Sequence, residues 1–263
     1  MGASLSPGGE YAAPAPEERA GSMASLRRRL SPWRMLVGVS ALALGAAAAG
    51  MLILWITTSG ERETSYSLAG PLLGVDIAVG EGGVRILGGG RSDVHVRHTD
   101  RFAYGHEPHE QVDLEEGVLK INSGCPSLVV GTCSADYALS VPDNVAVTVR
   151  VANGNIRLGE FRGSAQLAVE GGSIAVDGFC GFSLQATAGQ GDIDVRTSCA
   201  ADQLELRSDT GDVTALVPPG TYRIDADSNG GRVDIDGVQT SEDAPWAIQA
   251  LSGSGDVKVG ARP

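Results

Sequence analysis

One short phrase recurs six times between residues 147 and 259, and it restricts the fold more tightly than anything else in the chain. The first copy reads Ala152-Asn153-Gly154-Asn155-Ile156-Arg157-Leu158 and the third Gly189-Gln190-Gly191-Asp192-Ile193-Asp194-Val195. Each copy is a glycine-rich turn, one polar residue, and a run alternating between apolar and polar side chains. That alternation is the period-two signal of a strand with one buried face. The anchor residues Ile156, Ile174, Ile193, Val213, Val233 and Val257 lie 18, 19, 20, 20 and 24 apart, and such self-similarity marks a stacked architecture. Four residues separate Val151 from Ile156, and six separate Ala186 from Ile193. The change in turn length is even, so every side chain keeps its face; an odd change would turn the strand over.

Two topologies carry such a pattern: a parallel β-solenoid, or an antiparallel meander with hairpins at the glycines. Cys180 and Cys199 each lie four residues beyond a repeat's last valine, Val176 and Val195. In a solenoid, equivalent positions on adjacent coils sit about 4.8–5.5 Å apart, within reach of a disulfide. Phe161 and Phe179 likewise occupy equivalent positions and would stack. The expected fold is therefore all-β, a parallel β-solenoid or β-helix with coils of about 20 residues behind one transmembrane helix; an antiparallel meander or sandwich is the alternative. Val75 to Ile86 is an early copy of the phrase, and Val94 to Thr99 and Val118 to Ile121 read as further strands around a polar loop at 102–111. Outside the cytoplasm four cysteines read as Cys125–Cys133 and Cys180–Cys199, with the other two pairings left open.

The anchor lies near the start. Residues 35–57 contain no charge, and about 20 apolar residues span a bilayer. Arg27, Arg28, Arg29 and Arg34 precede this run, so the positive-inside bias puts the N-terminus in the cytoplasm. A cleaved signal peptide is the rival, but Met51 to Ile56 continues the apolar run past the small residues at 46–49. The expected organisation is a disordered cytoplasmic tail (1–32), a transmembrane helix (33–58), a stalk (59–69) and an extracytoplasmic β-repeat domain (70–263). Residues 1–58 carry five arginines against three glutamates, and the rest carries 15 basic against 29 acidic residues, a net −14. That balance disfavours nucleic acid and anionic lipid as partners.

The phrase Leu139-Ser140-Val141-Pro142-Asp143-Asn144-Val145-Ala146-Val147, followed by Gly-[Asp/Asn]-[Ile/Val]-x-Val repeats, resembles the DUF4097 family of candidate adhesins, in its membrane-anchored, actinobacterial type. Leu216-Val217-Pro218-Pro219-Gly220-Thr221-Tyr222 echoes the phrase. The resemblance covers residues 70–260 and implies a β-helical extracytoplasmic module. It offers no catalytic residue and no cofactor; the cysteine pairs and the histidines are this chain's own.

All four histidines fall within 15 residues: His95, His98, His106 and His109. Imidazoles among carboxylates suit zinc, nickel or copper. His95 and His98 would diverge on a strand, so His106 and His109 are the better metal pair; the plain reading is a solvated edge strand and loop. The residue after each repeat's last glycine runs Asn155, Ser173, Asp192, Asp212, Arg232, Asp256. Calcium-binding β-rolls carry aspartate there, but their period is near nine, and turn-making aspartate is the competing role. No pair of carboxylates is focused for glycoside hydrolysis. The expectation is a single-pass cell-envelope protein with a non-catalytic, adhesin-like binding or structural ectodomain, its partners the cytoplasmic membrane and an envelope polysaccharide or protein. The alternatives are a metal-dependent or polysaccharide-acting enzyme, and an accessory protein of envelope-stress signalling.

Overall fold

The computed structural model describes residues 32–70, 72–89, 93–104, 106–127, 131–143 and 145–262. The expected tail lies outside them apart from Pro32, which opens helix α1 (Pro32–Thr58). Proline at the first helical position has no hydrogen bond to lose, and the Leu- and Ala-rich run behind it favours helix. Val37–Ile56 is 20 residues of it, long and apolar enough to cross a bilayer.

Among the described residues every further element is a strand. β1 (Gly60–Ala69), β2 (Gly74–Glu81), β3 (Val84–Gly89), β4 (Asp93–Phe102), β5 (His109–Glu115), β6 (Val118–Gly124) and β7 (Cys133–Pro142) come first. The regular repeats follow as β8 (Ala146–Asn153), β9 (Ile156–Gly159), β10 (Ala165–Gly171), β11 (Ile174–Phe179), β12 (Ser183–Gln190), β13 (Ile193–Thr197), β14 (Gln203–Thr210) and β15 (Val213–Val217). The chain ends in β16 (Thr221–Ser228), β17 (Val233–Asp236), β18 (Gln239–Thr240), β19 (Ala247–Ser252) and β20 (Val257–Ala261). Sheet I has the order β1-β4-β7-β3-β9-β11-β13-β15-β20-β17, and sheet II β18-β16-β19-β14-β12-β10-β8-β2-β6-β5.

The fold is a parallel solenoid. Each coil lays one strand in sheet II, turns at its glycines, and lays the next in sheet I. Ile156 pairs with Ile174, Ile174 with Ile193 and Ile193 with Val213, all in parallel register. Their inward faces meet those of Val147, Val149, Leu167, Ala186 and Leu206 from sheet II in one continuous core. Phe161 and Phe179 are fully buried, with ring centroids 6.5 Å apart. Cys180 and Cys199 are bonded across adjacent coils with Cα atoms 4.9 Å apart, and Cys125 is bonded to Cys133.

The order of the coils departs from expectation at both ends. The last coil in sequence, β19–β20, slots between β14–β15 and β16–β17, so Val257 pairs with Val213 on one side and Val233 on the other. The outermost coil is therefore β16–β17, not the one ending at Val259. Composition explains the exchange. Ile248, Ala250, Val257 and Val259 are buried on the inserted coil, whereas Val233 and Ile235 are 43% and 44% exposed on the outer one. The outer coil also carries Asp225, Asp227, Asp234 and Asp236, and charged edges discourage pairing with further strands. At the other end β2–β3 lies between β8–β9 and β6–β7.

Two further expectations are corrected there. Most of the segment expected as a stalk, 59–69, is strand β1, antiparallel to β4, with Gly60 opposite Phe102 and Ala69 opposite Asp93. Only Tyr66 and Leu68 of β1 are half-buried, which is why its composition reads as a polar linker. β1 is then the edge of sheet I, and β4 is covered on both sides, by β1 and by β7. The 102–111 loop is shorter than expected, since β4 runs through Phe102 and β5 begins at His109.

Candidate functional site

The turns are built as two columns. Gly154, Gly172, Gly191 and Gly211 have φ between 136° and 152°, and a Cβ on each would overlap the carbonyl of the glycine below it, from Gly82 upward. Beside them runs a ladder of side-chain acceptors. Asn155 Oδ1 accepts from Ser173 N (2.9 Å), Ser173 Oγ from Asp192 N (3.2 Å), Asp192 Oδ1 from Asp212 N (2.9 Å) and Asp212 Oδ1 from Asp256 N (2.7 Å). Asp256 Oδ1 then accepts from Arg232 N at 2.8 Å. That backbone bond, with the Arg232 guanidinium beside it, holds the Asp256 carboxyl below the ordinary carboxylate range. Coil insertion makes three aspartates adjacent and puts Arg232 at the end of the column rather than inside it. Each aspartate serves the backbone of the next coil, not its own.

The outer face of sheet II, at the strand ends that lead into these turns, carries a groove of about 1100 Å³. In register across it lie Asn122, Ala78, Arg150, Ala168 and Thr187, from β6 to β12. Ala78, Ala168 and Thr187 keep the hollow open along the stack, and Arg150, between Ala78 and Ala168, is the one long side chain of the row. Arg150, bonded to Asp76 at 2.9 Å, Glu170 and Gln190 supply polar rims, and His109 lies at the β5 end. Four strand spacings make this row about 19 Å long. The arrangement suits an extended ligand held by many modest contacts.

A buried polar hub closes the N-terminal end of the stack. His98 is 4% exposed, its ring stacked on Tyr137 at 5.3 Å. Its Nδ1 faces Asp100 Oδ1 at 3.2 Å and its Nε2 faces Glu110 Oε2 at 3.4 Å. Tyr66 and Tyr137 both donate to Glu110 Oε1, each at 3.1 Å. Glu110 belongs to sheet II and the other residues to sheet I, so the hub ties the sheets together. Burial, reinforced by the Glu110 charge, pushes both phenols well above their ordinary range.

The chain matches the family model described as Toastrack DUF4097 over residues 90–261. It belongs to the DUF4097 family. Among solved structures, this Toastrack chain is similar to a candidate cell adhesion protein from Clostridium sporogenes, at 10% identity and a TM-score of 0.47 over 77% of this chain and 100% of that one. A candidate adhesin from Bacteroides fragilis aligns at 12% identity and a TM-score of 0.39, over 76% and 97%. Another from Parabacteroides merdae aligns at 10% and 0.33, over 75% and 96%. No curated protein matches the chain.

The histidines of this DUF4097 member are dispersed in role. His95 bonds Ser67 Oγ (2.7 Å) and faces Asp93 (3.1 Å) on the outer side of β4. His98 points into the core, which corrects its expected place on a solvated edge strand. The phase of Val94 and Val96 carries His98 and Asp100 inward, and a strict two-residue count would have found this. His106 lies in the short loop and His109 at the groove. Among the described residues no three His, Cys, Asp or Glu side chains are grouped to hold a metal ion. At His98 the carboxylates face opposite ring nitrogens, so they do not converge on one point. Sequence reasoning missed the hub because Tyr66 lies in the supposed stalk.

Proposed function

We propose that this protein is a single-pass, membrane-anchored, non-catalytic binding module of adhesin type, which grips an extended polymer of the cell envelope along the groove of sheet II. The observation that carries the reading is the groove itself. Its floor runs through Ala78, Arg150, Ala168 and Thr187 on successive strands of sheet II, and polar groups line the rims. Regular stacked surfaces bind extended ligands through repeated contacts. The four arginines before the apolar run at 35–57 support a cytoplasmic N-terminus and an ectodomain outside, and the two disulfides fit an oxidising compartment.

The test is retention of the detergent-solubilised full chain on isolated envelope polymer. Ala168→Trp fills the groove from its outer face without touching the core. The expected result is retention by the native chain and a loss of about tenfold or more in the variant, the scale of one or two lost contacts. Equal retention of both would overturn the groove as the site. No retention of the native chain would overturn the adhesin reading.

A further inference from the structure

A second surface, on the opposite sheet, carries a run of positive charge, two members of which have no partner among the described residues. In sheet I, Arg97 of β4 sits opposite Ala138 of β7, Ala138 beside Arg85 of β3, and Arg85 beside Arg157 of β9. All four side chains are on the outer face. Three strand spacings make the row about 14 Å long, with Arg85 and Arg157 on directly adjacent strands about 4.8 Å apart.

Like charges directly opposite one another on neighbouring strands are destabilising. In a domain with 29 acidic residues beyond the helix, a carboxylate could easily have stood between them. The nearby acids are engaged elsewhere. Glu63 holds Arg97 at 3.3 Å, Asp136 pairs with Arg101 and accepts from Gly83 N at 2.7 Å, and Glu61 lies 3.4 Å from Arg101. Arg85 and Arg157 have no hydrogen-bond or ion-pair partner among the described residues. Both border a hollow of about 490 Å³ whose lining also includes Thr99, Ser134, Asn155 and the Asp136 carboxylate that is paired with Arg101. Farther along the same outward row, Asp194 has its own cation, Arg196 at 2.8 Å. Lys258, farther still along the row, stands beside Asp234, whereas Arg85 and Arg157 are cations on directly adjacent strands.

We propose that Arg85 and Arg157, extended by Arg97, form a binding site for the anionic groups of a polysaccharide, phosphodiester or uronate in type. A guanidinium presents a planar fork that matches both phosphate and carboxylate. A row of three on an open surface fits charges repeated along a polymer better than one small anion. The site is separate from the sheet II groove, and only the choice of an envelope polymer as ligand rests on the adhesin reading.

The experiment uses the full chain in nanodiscs of neutral lipid, with four probes: polygalacturonate, polyphosphate, neutral dextran, and phosphatidylglycerol vesicles. The site predicts binding to a polyanion, weakened by added salt as counterion release requires, and no binding to dextran. Arg85→Gln with Arg157→Gln should weaken polyanion binding by about tenfold per arginine, as loss of a hydrogen bond to a charged group does. Their melting temperature should hold or rise as repulsion is relieved, so a folding defect is distinguishable. Ala168→Trp should leave polyanion binding unchanged, which separates this site from the groove. Absence of binding to both polyanions, or equal binding by the double variant, overturns the proposal. Binding to vesicles that the same variant abolishes, without polyanion binding, assigns the site to lipid headgroups and overturns the polymer.

Discussion

Asp212 donates its backbone N–H to Asp192 Oδ1 and accepts the N–H of Asp256 on its own Oδ1. What the position needs is one side-chain oxygen aimed at the next coil; Asn155 fills the same role two coils below Asp192, without charge. Stacked carboxylates repel each other. Asp212→Asn should therefore leave the melting temperature unchanged or higher. Asp212→Ala orphans the Asp256 N–H and should cost about 1 kcal/mol. Thermal unfolding of the two variants checks this, and equal losses would mean the charge rather than the acceptor matters. Residue identity alone could not separate the ladder from a calcium column. The register shows what the order of residues does not: Oδ1 of Asp192, Asp212 and Asp256 each accepts an amide of the neighbouring coil.

At the scale of the element, the turn is what makes the coil repeat. Gly191 has φ +141°, and a Cβ there would strike the carbonyl of Gly172 in the coil below. Both the conformation and the closeness of the stack demand glycine. Gly191→Ala is expected to destabilise by about 1–3 kcal/mol. Gly124→Ala, where the Cβ meets open space, should stay within about 0.5 kcal/mol. Comparable losses at both sites, measured by denaturant unfolding, would remove the column as the cause. Parallel topology is legible in the amino-acid order itself, because Cys180 and Cys199, like Phe161 and Phe179, share a position in the repeat. Coil order is not. Every coil carries the same phrase, so any of them fits beside any other, and only burial of whole coils decides. The 24-residue interval before Val257 is the single trace of it, made by the excursion through β18.

As a whole molecule the solenoid has two unlike ends. The C-terminal end stops at an acidic coil whose Val233 and Ile235 stay half in solvent. The N-terminal end is closed by antiparallel strands and by the Glu110 hub, which reaches from sheet II to β1, β4 and β7. The phenols of Tyr66 and Tyr137 are raised in the folded state, first by burial and then by the Glu110 charge. A raised folded value means the stabilisation is complete below the ordinary phenol range, near 10, and declines as pH climbs past it. Above that pH the unfolded tyrosines ionise while the folded ones resist. The N-terminal cap should therefore open first in alkali: amide exchange in β1, β4 and β5, corrected for its intrinsic rate, should accelerate above pH about 10, ahead of β10 to β13. Tyr66→Phe removes one of the two titrating groups and should flatten that dependence, while losing about 1 kcal/mol at neutral pH with the hydrogen bond. If the central coils exchange as early as the cap, the hub does not govern that end, and the sheets are held together there by the apolar core alone.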